Sequence, residues 1–315
     1  MRTKFVGWAL AHRGNFGFSK TIVSGVRSEG RGFTLTEIIL LIFLLSLFFI
    51  FLMIRAEPNP RRLRAYIIKQ KAQFRSIDCA LELLKSEFDS YPPSDALDED
   101  GRPYCGAMKL CEAMMGRDLM GFHPDSIFNS AGTDSNGTLL YPESTAASGE
   151  AYHDSLKVRK GPYLPLENAN TYKLADIYGE GKTGSFDPND YVLCGTFENI
   201  KIPGKRKKVG MPILYYKADT SKTAHDVNDP NNPENIYDYR DNHALLALGI
   251  PGKPGQKHPL YENPKIFYEM IRNDRVAGPS RPYRAETYIL LSAGPDGLYG
   301  TEDDIANFDL RWRPK

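Results

Sequence analysis

From Ile38 to Ile54 the chain is almost wholly apolar, and the residue that opens this run, Glu37, is a carboxylate. An apolar stretch from residue 33 to 54 makes a helix of about 33 Å at about 1.5 Å per residue, which matches the hydrocarbon core of a bilayer at about 30 Å. A single transmembrane helix over 33–54 is therefore expected. A removable signal sequence fits less well, because its apolar core runs to only about 7–15 residues and ends in small residues, which Met53-Ile54-Arg55-Ala56 does not supply. A carboxylate near such a helix is costly to bury alone, so Glu37 is expected to meet a cation.

The junction is Arg31-Gly32-Phe33-Thr34-Leu35-Thr36-Glu37. The glycine, the phenylalanine, the acid at the fifth position after Gly32 and the long apolar run together resemble the processing site of type IV prepilins and type II secretion pseudopilins. The resemblance implies cleavage between Gly32 and Phe33 by a prepilin peptidase and N-methylation of Phe33. It implies that Glu37 neutralises the terminal amine of a neighbouring subunit during assembly. It also implies a bacterial inner-membrane protein of single pass, with the leader cytoplasmic and the head periplasmic. Implied partners are other pseudopilins, an inner-membrane secretion platform and membrane lipid. The leader, 1–32, has six basic residues against Glu29, a bias that favours cytoplasmic retention. A second basic group, from Arg55 to Arg75, lies on the other flank, so charge alone orients the span weakly.

Beyond the span, Pro58 and Pro60 predict a kink. Leu63, Ile67, Phe74, Ile77, Leu81, Leu84 and Phe88 then recur at helical spacings with Gln70 interrupting, which predicts an amphipathic stem helix within 55–90. Residues 91–315 form the expected head. A short helix is expected at 107–115 and another at 264–272, with strands at 191–197, 212–216 and 288–292 and mostly loop over 129–150 and 219–242. The expected fold class is α+β: a long N-terminal transmembrane and amphipathic helix, a pilin stem, packed on a small antiparallel-sheet head with long loops.

Immediately after the 288–292 strand comes Gly294-Pro295-Asp296-Gly297-Leu298-Tyr299-Gly300-Thr301-Glu302-Asp303-Asp304-Ile305. Four acids in one glycine-rich loop suit a hard cation such as Ca²⁺, which takes several oxygen ligands in flexible geometry. The spacing is not that of an EF-hand. The loop resembles the calcium loop near the C-terminus of type II secretion major pseudopilins, one residue shorter. That resemblance makes Asp296 and Asp304 the firmer ligands, with Glu302 and Asp303 sharing a third place.

The full chain carries 40 basic and 39 acidic residues, and loss of the leader leaves 34 against 38, which excludes nucleic-acid binding on charge grounds. Of the four cysteines, Cys79, Cys105, Cys111 and Cys194, the pair Cys105 and Cys111 is nearest, and no C-x-x-C metal spacing occurs. Gly179-Glu180-Gly181-Lys182-Thr183 lacks the first glycine of a phosphate loop, and no H-E-x-x-H or G-x-S-x-G motif is present. Lys205-Arg206-Lys207-Lys208 reads as a solvated hairpin tip. The expectation is a non-enzymatic pseudopilin that assembles into a periplasmic fibre for type II secretion. The competing expectation is a pilin-anchored surface protein whose head binds a ligand or adheres to a target.

Overall fold

The computed structural model describes residues 34–56, 60–145, 148–198, 200–202, 207–276 and 279–313, with side-chain surroundings given for 34–49 and from 62 onward. The chain divides into two compact units, Met1–Glu57 and Pro58–Lys315. The expected kink at Pro58 lies outside the described residues.

The first unit contributes helix α1 (Leu35–Ala56). The second begins with α2 (Pro60–Phe88), which starts on a proline whose missing N–H costs nothing in a first turn. There follow α3 (Gly106–Met115), α4 (Gly149–Val158), α5 (Leu166–Ala169), β1 (Thr171–Lys173), α6 (Leu174–Tyr178), β2 (Tyr191–Leu193), β3 (Ile200–Lys201), β4 (Lys208–Val209) and β5 (Leu214–Lys217). A 3₁₀ turn at Tyr239–Asn242 precedes α7 (His243–Leu246), α8 (Pro259–Glu262), α9 (Lys265–Ile271), β6 (Tyr288–Ser292) and β7 (Ile305–Ala306). The strands form small antiparallel sheets, β1 with β2, β3 with β4, and β5-β6-β7.

The third sheet sits at the centre. Tyr215 pairs with Leu290 and Leu214 with Leu291, and successive residues face opposite sides. Tyr215, Tyr288 and Leu290 join one apolar cluster with Phe74, Ile77, Leu81 and Leu84 of α2. Leu214, Tyr216, Ile289 and Leu291 join the other with Phe267, Met270 and Ile271 of α9. Coverage on both faces explains why Tyr288–Ser292 reads as a continuous apolar run rather than an alternating one.

Polar groups fix the layers in register. Gln70, fully buried, accepts the Thr196 N–H through Oε1 at 2.7 Å and donates to Gln73 Oε1 at 3.0 Å. Gln73 in turn donates to the Cys194 carbonyl at 2.9 Å, so the apparent interruption of the α2 stripe is what ties α2 to the end of β2. At α3 the Ala107 N–H, an orphan of the first helical turn, is accepted by Asn242 Oδ1 at 2.9 Å, while Asn242 Nδ2 donates to the Tyr215 carbonyl at 2.7 Å.

One expectation is overturned. Among the described residues no helix is long and apolar enough to cross a membrane. The 29-residue α2 is long enough but carries exposed Arg62, Arg64, Lys69, Lys71 and Arg75. The transmembrane stem in the expected fold class, and with it the single-pass inner-membrane localisation with cytoplasmic leader and periplasmic head, is corrected to a mixed α/β fold with small antiparallel sheets. The leader 1–32 lies outside the described residues.

Candidate functional site

Two places hold the residues singled out by sequence. The first is the start of α1. Gly32 and Phe33 lie outside the described residues, but Thr34 and Glu37 are placed. The Thr34 N–H and hydroxyl donate to Glu37 Oε2 at 2.8 and 2.9 Å, and the Glu37 N–H donates back to Thr34 Oγ1 at 3.4 Å. This is a capping box, T-x-x-E, in which two side chains satisfy each other's orphan N–H groups. The T-x-x-E signature at Thr34 and Glu37 is itself legible in the sequence, where the apolar run that follows presents Glu37 as a charge needing a cation. The Thr34 backbone bond, then the Thr34 hydroxyl, hold the Glu37 carboxyl below its usual range. Glu37 thus has a partner on its own helix. Beyond it, every large apolar side chain from Leu35 to Phe49 is 44–76% exposed, all round the helix.

The second place is the loop from β6 to β7. The Gly297 N–H reaches the Gly294 carbonyl at 3.1 Å and closes a tight turn, and Asp296 Oδ1 accepts the Leu298 N–H at 2.7 Å. Asp303 is brought against Asp296: its Oδ2 accepts the Asp296 N–H at 3.1 Å, and its Oδ1 accepts the Thr301 hydroxyl at 2.5 Å. A Cβ on Gly294 would lie 2.2 Å from the Asp303 carbonyl oxygen, so the two ends of the loop close only on a glycine. Asp304 turns into the protein. Its Oδ2 accepts the Gly300 N–H at 2.7 Å, and its Oδ1 is buried with no partner among the described residues. Glu302 faces away, 3.6 Å from the Arg313 guanidinium.

The electrostatics follow from this placement. Burial pushes the Asp304 carboxyl well above the carboxylate range; the Gly300 N–H opposes this, and Asp303 and Asp296 add to it. Asp296 is raised by desolvation, with the Leu298 N–H opposing and Asp303 reinforcing. Of the four expected ligands the structure therefore gathers Asp296 and Asp303, buries Asp304 beside them and leaves Glu302 to an ion pair. Among the described residues no group of three or more His, Cys, Asp or Glu side chains is arranged to hold a metal ion.

Other readings resolve simply. The cysteines are free, with Cys79 exposed and Cys105, Cys111 and Cys194 buried. Cys105 and Cys111 are six residues apart at and within α3, about 9 Å along the axis, beyond the reach of a disulfide. The β3–β4 hairpin carries the basic run, whose Lys205 and Arg206 lie outside the described residues.

No family model matches the chain, and no curated protein or solved structure is found to be similar to it. The pseudopilin resemblance rests on the motif residues of the two places just described.

Proposed function

We infer that this chain is a structural subunit, trimmed at Gly32 and Phe33 by a prepilin peptidase and assembled through α1 into a fibre that serves type II protein secretion. The observation that carries this reading is the apolar surface of α1. A helix that is hydrophobic all round is stable only when covered on all sides, and copies of the same helix bundled together supply such a cover. On this reading the role is mechanical, the packing of α1 against its copies.

The capping box makes the role of Glu37 separable. Glu37→Gln keeps an acceptor for Thr34 and loses the charge, whereas Glu37→Leu loses both. Full-length chain co-expressed with a prepilin peptidase and secretion components is expected to enter sedimenting fibres as wild type and to fail as either variant. Incorporation of Glu37→Gln at the wild-type level would make Glu37 a helix cap only. N-terminal sequencing of the same material is expected to begin at Phe33, and an uncut chain would sink the reading.

We further infer that the β6–β7 loop takes a structural Ca²⁺ through Asp296, Asp303 and Asp304. The partnerless Asp304 oxygen and the mutual strain of three carboxylates are what a divalent cation would relieve, and Glu302 is left outside the set. A weak site of about 10⁻⁴–10⁻³ M stabilises the folded chain by about 0.4–1.4 kcal/mol at about 1 mM Ca²⁺. Because Asp296 and Asp304 hold protons more tightly than ordinary carboxylates, protons compete with Ca²⁺ for them, so the stabilisation should grow as pH rises. Thermal unfolding with chelator, Ca²⁺ and Mg²⁺ checks this. Asp304→Asn should abolish the Ca²⁺ response and Glu302→Gln should leave it. An unchanged midpoint in wild type would reduce the loop to a turn.

A further inference from the structure

Beside the C-terminal end of α9 lies a cleft of about 650 Å³, within the range of about 300–1,000 Å³ usual for ligand sites. One wall is the loop that carries His225, Val227 and Asn232, and the other is formed by Arg272, Asn273, Asp274 and Val276 with Pro279. Backbone bonds fix both walls. The Ala224 N–H donates to the Glu234 carbonyl at 2.9 Å and the Ile236 N–H to the Ala224 carbonyl at 3.0 Å, while the Asn273 N–H donates to the Arg281 carbonyl at 2.8 Å. The cleft is thus held by the fold itself.

His225 lines this cleft while only 7% exposed. Its Nε2 lies 2.9 Å from the Tyr268 carbonyl, which can only accept, so Nε2 carries the ring proton. Burial holds the ring down at about 4, with the Tyr268 carbonyl opposing, and the imidazole is neutral at pH 7. Nδ1 is therefore a bare acceptor, and it has no hydrogen-bond partner among the described residues. A deeply buried acceptor left unmet is costly, and a donor entering the cleft supplies what it lacks. On the other wall Arg272 Nε donates to Asp274 Oδ1 at 2.7 Å. That bond leaves Asp274 Oδ2 and both Arg272 Nη atoms without a hydrogen-bond partner among the described residues. Asp226 is engaged by its own loop, its Oδ1 accepting the Asn228 and Asp229 N–H groups at 2.9 and 3.1 Å.

The unmet groups are acceptors and donors side by side. An anion entering to reach Arg272 would meet the carboxylates of Asp226 and Asp274, and a cation would meet Arg272. Among the described residues no three His, Cys, Asp or Glu side chains are placed to hold a metal ion. A hydroxyl donates once and accepts twice, which matches both kinds of group. Val227, Val276 and Pro279 add apolar surface suited to the C–H faces of a sugar ring. We propose that the cleft is a saccharide site, taking a neutral, hydroxyl-rich ligand that donates to His225 Nδ1 and Asp274 and accepts from Arg272. The site uses nothing of α1, so it stands whether or not copies of the chain form a fibre.

The test applies the full-length chain, kept in solution by a detergent without a sugar head group, to an array of immobilised neutral and anionic oligosaccharides. At least one neutral oligosaccharide is expected to be bound, and the same sugar free in solution should compete. Titrating that sugar into chain with isotope-labelled histidines should shift the Nδ1 resonance of His225, assigned by its loss in His225→Phe, more than those of the other five histidines. Asp274→Ala alters a side chain that is 73% exposed, so it should leave the melting temperature unchanged and weaken binding on the order of tenfold. Binding of no neutral oligosaccharide overturns the proposal. Binding undiminished in both His225→Phe and Asp274→Ala also overturns it, since the sugar would then sit elsewhere. Binding confined to sulfated or carboxylated sugars would do the same, by making the Arg272 cation the determinant.

Discussion

Replacing Arg117 by methionine is expected to cost about 3–5 kcal/mol of folding free energy at pH 8 and less at pH 5. Arg117 follows α3 and is largely buried. Its guanidinium donates to Asp190 Oδ1 at 2.8 Å and to the Asn129 carbonyl at 3.0 Å, and lies 5.2 Å from the centre of the Tyr104 ring. Tyr104 donates to Glu112 Oε2 at 2.6 Å, and Ser126 and Tyr141 donate to Glu112 Oε1 at 2.6 and 3.2 Å. Removing the Arg117 cation from beside Asp190 leaves a buried carboxylate whose second oxygen has no partner among the described residues. Burial lifts the Asp190 carboxyl to about 7, with Arg117 pulling it down and Asp187 and Glu112 adding to the lift. An unfolded aspartate titrates near about 3.9, so the folded chain holds the extra proton between the two values, and stability falls as pH rises through that window. Without Arg117 the folded value rises further, so the variant goes on losing stability above pH 7 where wild type levels off. Urea unfolding followed by far-UV circular dichroism at pH 5 and pH 8 measures the gap. Equal losses at both pH values would show that Arg117 acts by packing alone, and Asp190→Asn in the Arg117→Met chain should recover the pH-dependent part.

Gly294→Ala is expected to destabilise by about 3 kcal/mol, the upper part of the range for forcing atoms into a packed site. The new Cβ would stand 2.2 Å from the Asp303 carbonyl oxygen, 2.6 Å from its carbonyl carbon and 2.7 Å from its Cγ. Two of those atoms are backbone, so no rotamer change relieves the clash. The chain at Asp303 must move, and Asp304 and Ile305 move with it, the latter from its pairing with Ser292. The Ca²⁺ response should vanish in the same variant. Gly149→Ala is the control, since nothing lies within 4 Å of its Cβ position and alanine favours the helix it occupies. If the two variants melt alike, the loop is looser than its geometry implies.

What could be read from sequence was what depends on neighbours in the chain. The helical stripe from Phe74 to Leu84, the strand at 288–292 and the helices near 107–115 and 264–272 each carry their own periodicity or apolar content, and all occur. Helix α4, Gly149–Val158, begins at the end of the polar stretch expected to be mostly loop, and none of its residues is buried. Strands β3 and β4 are two residues each, too short for any pattern. In the acidic loop the glycines and the closeness of Asp296 and Asp303 follow from local turn chemistry. The diversion of Glu302 to Arg313 does not, since it depends on where the tail returns. The partner of Gln70 is beyond local pattern for the same reason: Thr196 lies 126 residues away. The transmembrane expectation came from the length and apolar content of 33–54, and among the described residues no helix meets it.

The central sheet has a consequence for synthesis. Two of its three strands, β6 and β7, lie between residues 288 and 306, while the α2 face that they cover is finished at residue 88. At about 5–20 residues per second the ribosome takes about 10–45 s to bridge that interval. Throughout it Phe74, Ile77, Leu81 and Leu84 lack the part of their cover that Tyr288, Leu290 and Ile305 supply. Pairing across so long a separation is slow to find and cannot begin early. Until its last tenth has emerged, a nascent chain of this design has the α2 face covered only by the earlier elements such as α3 and β2, and truncation before residue 288 leaves that cover incomplete.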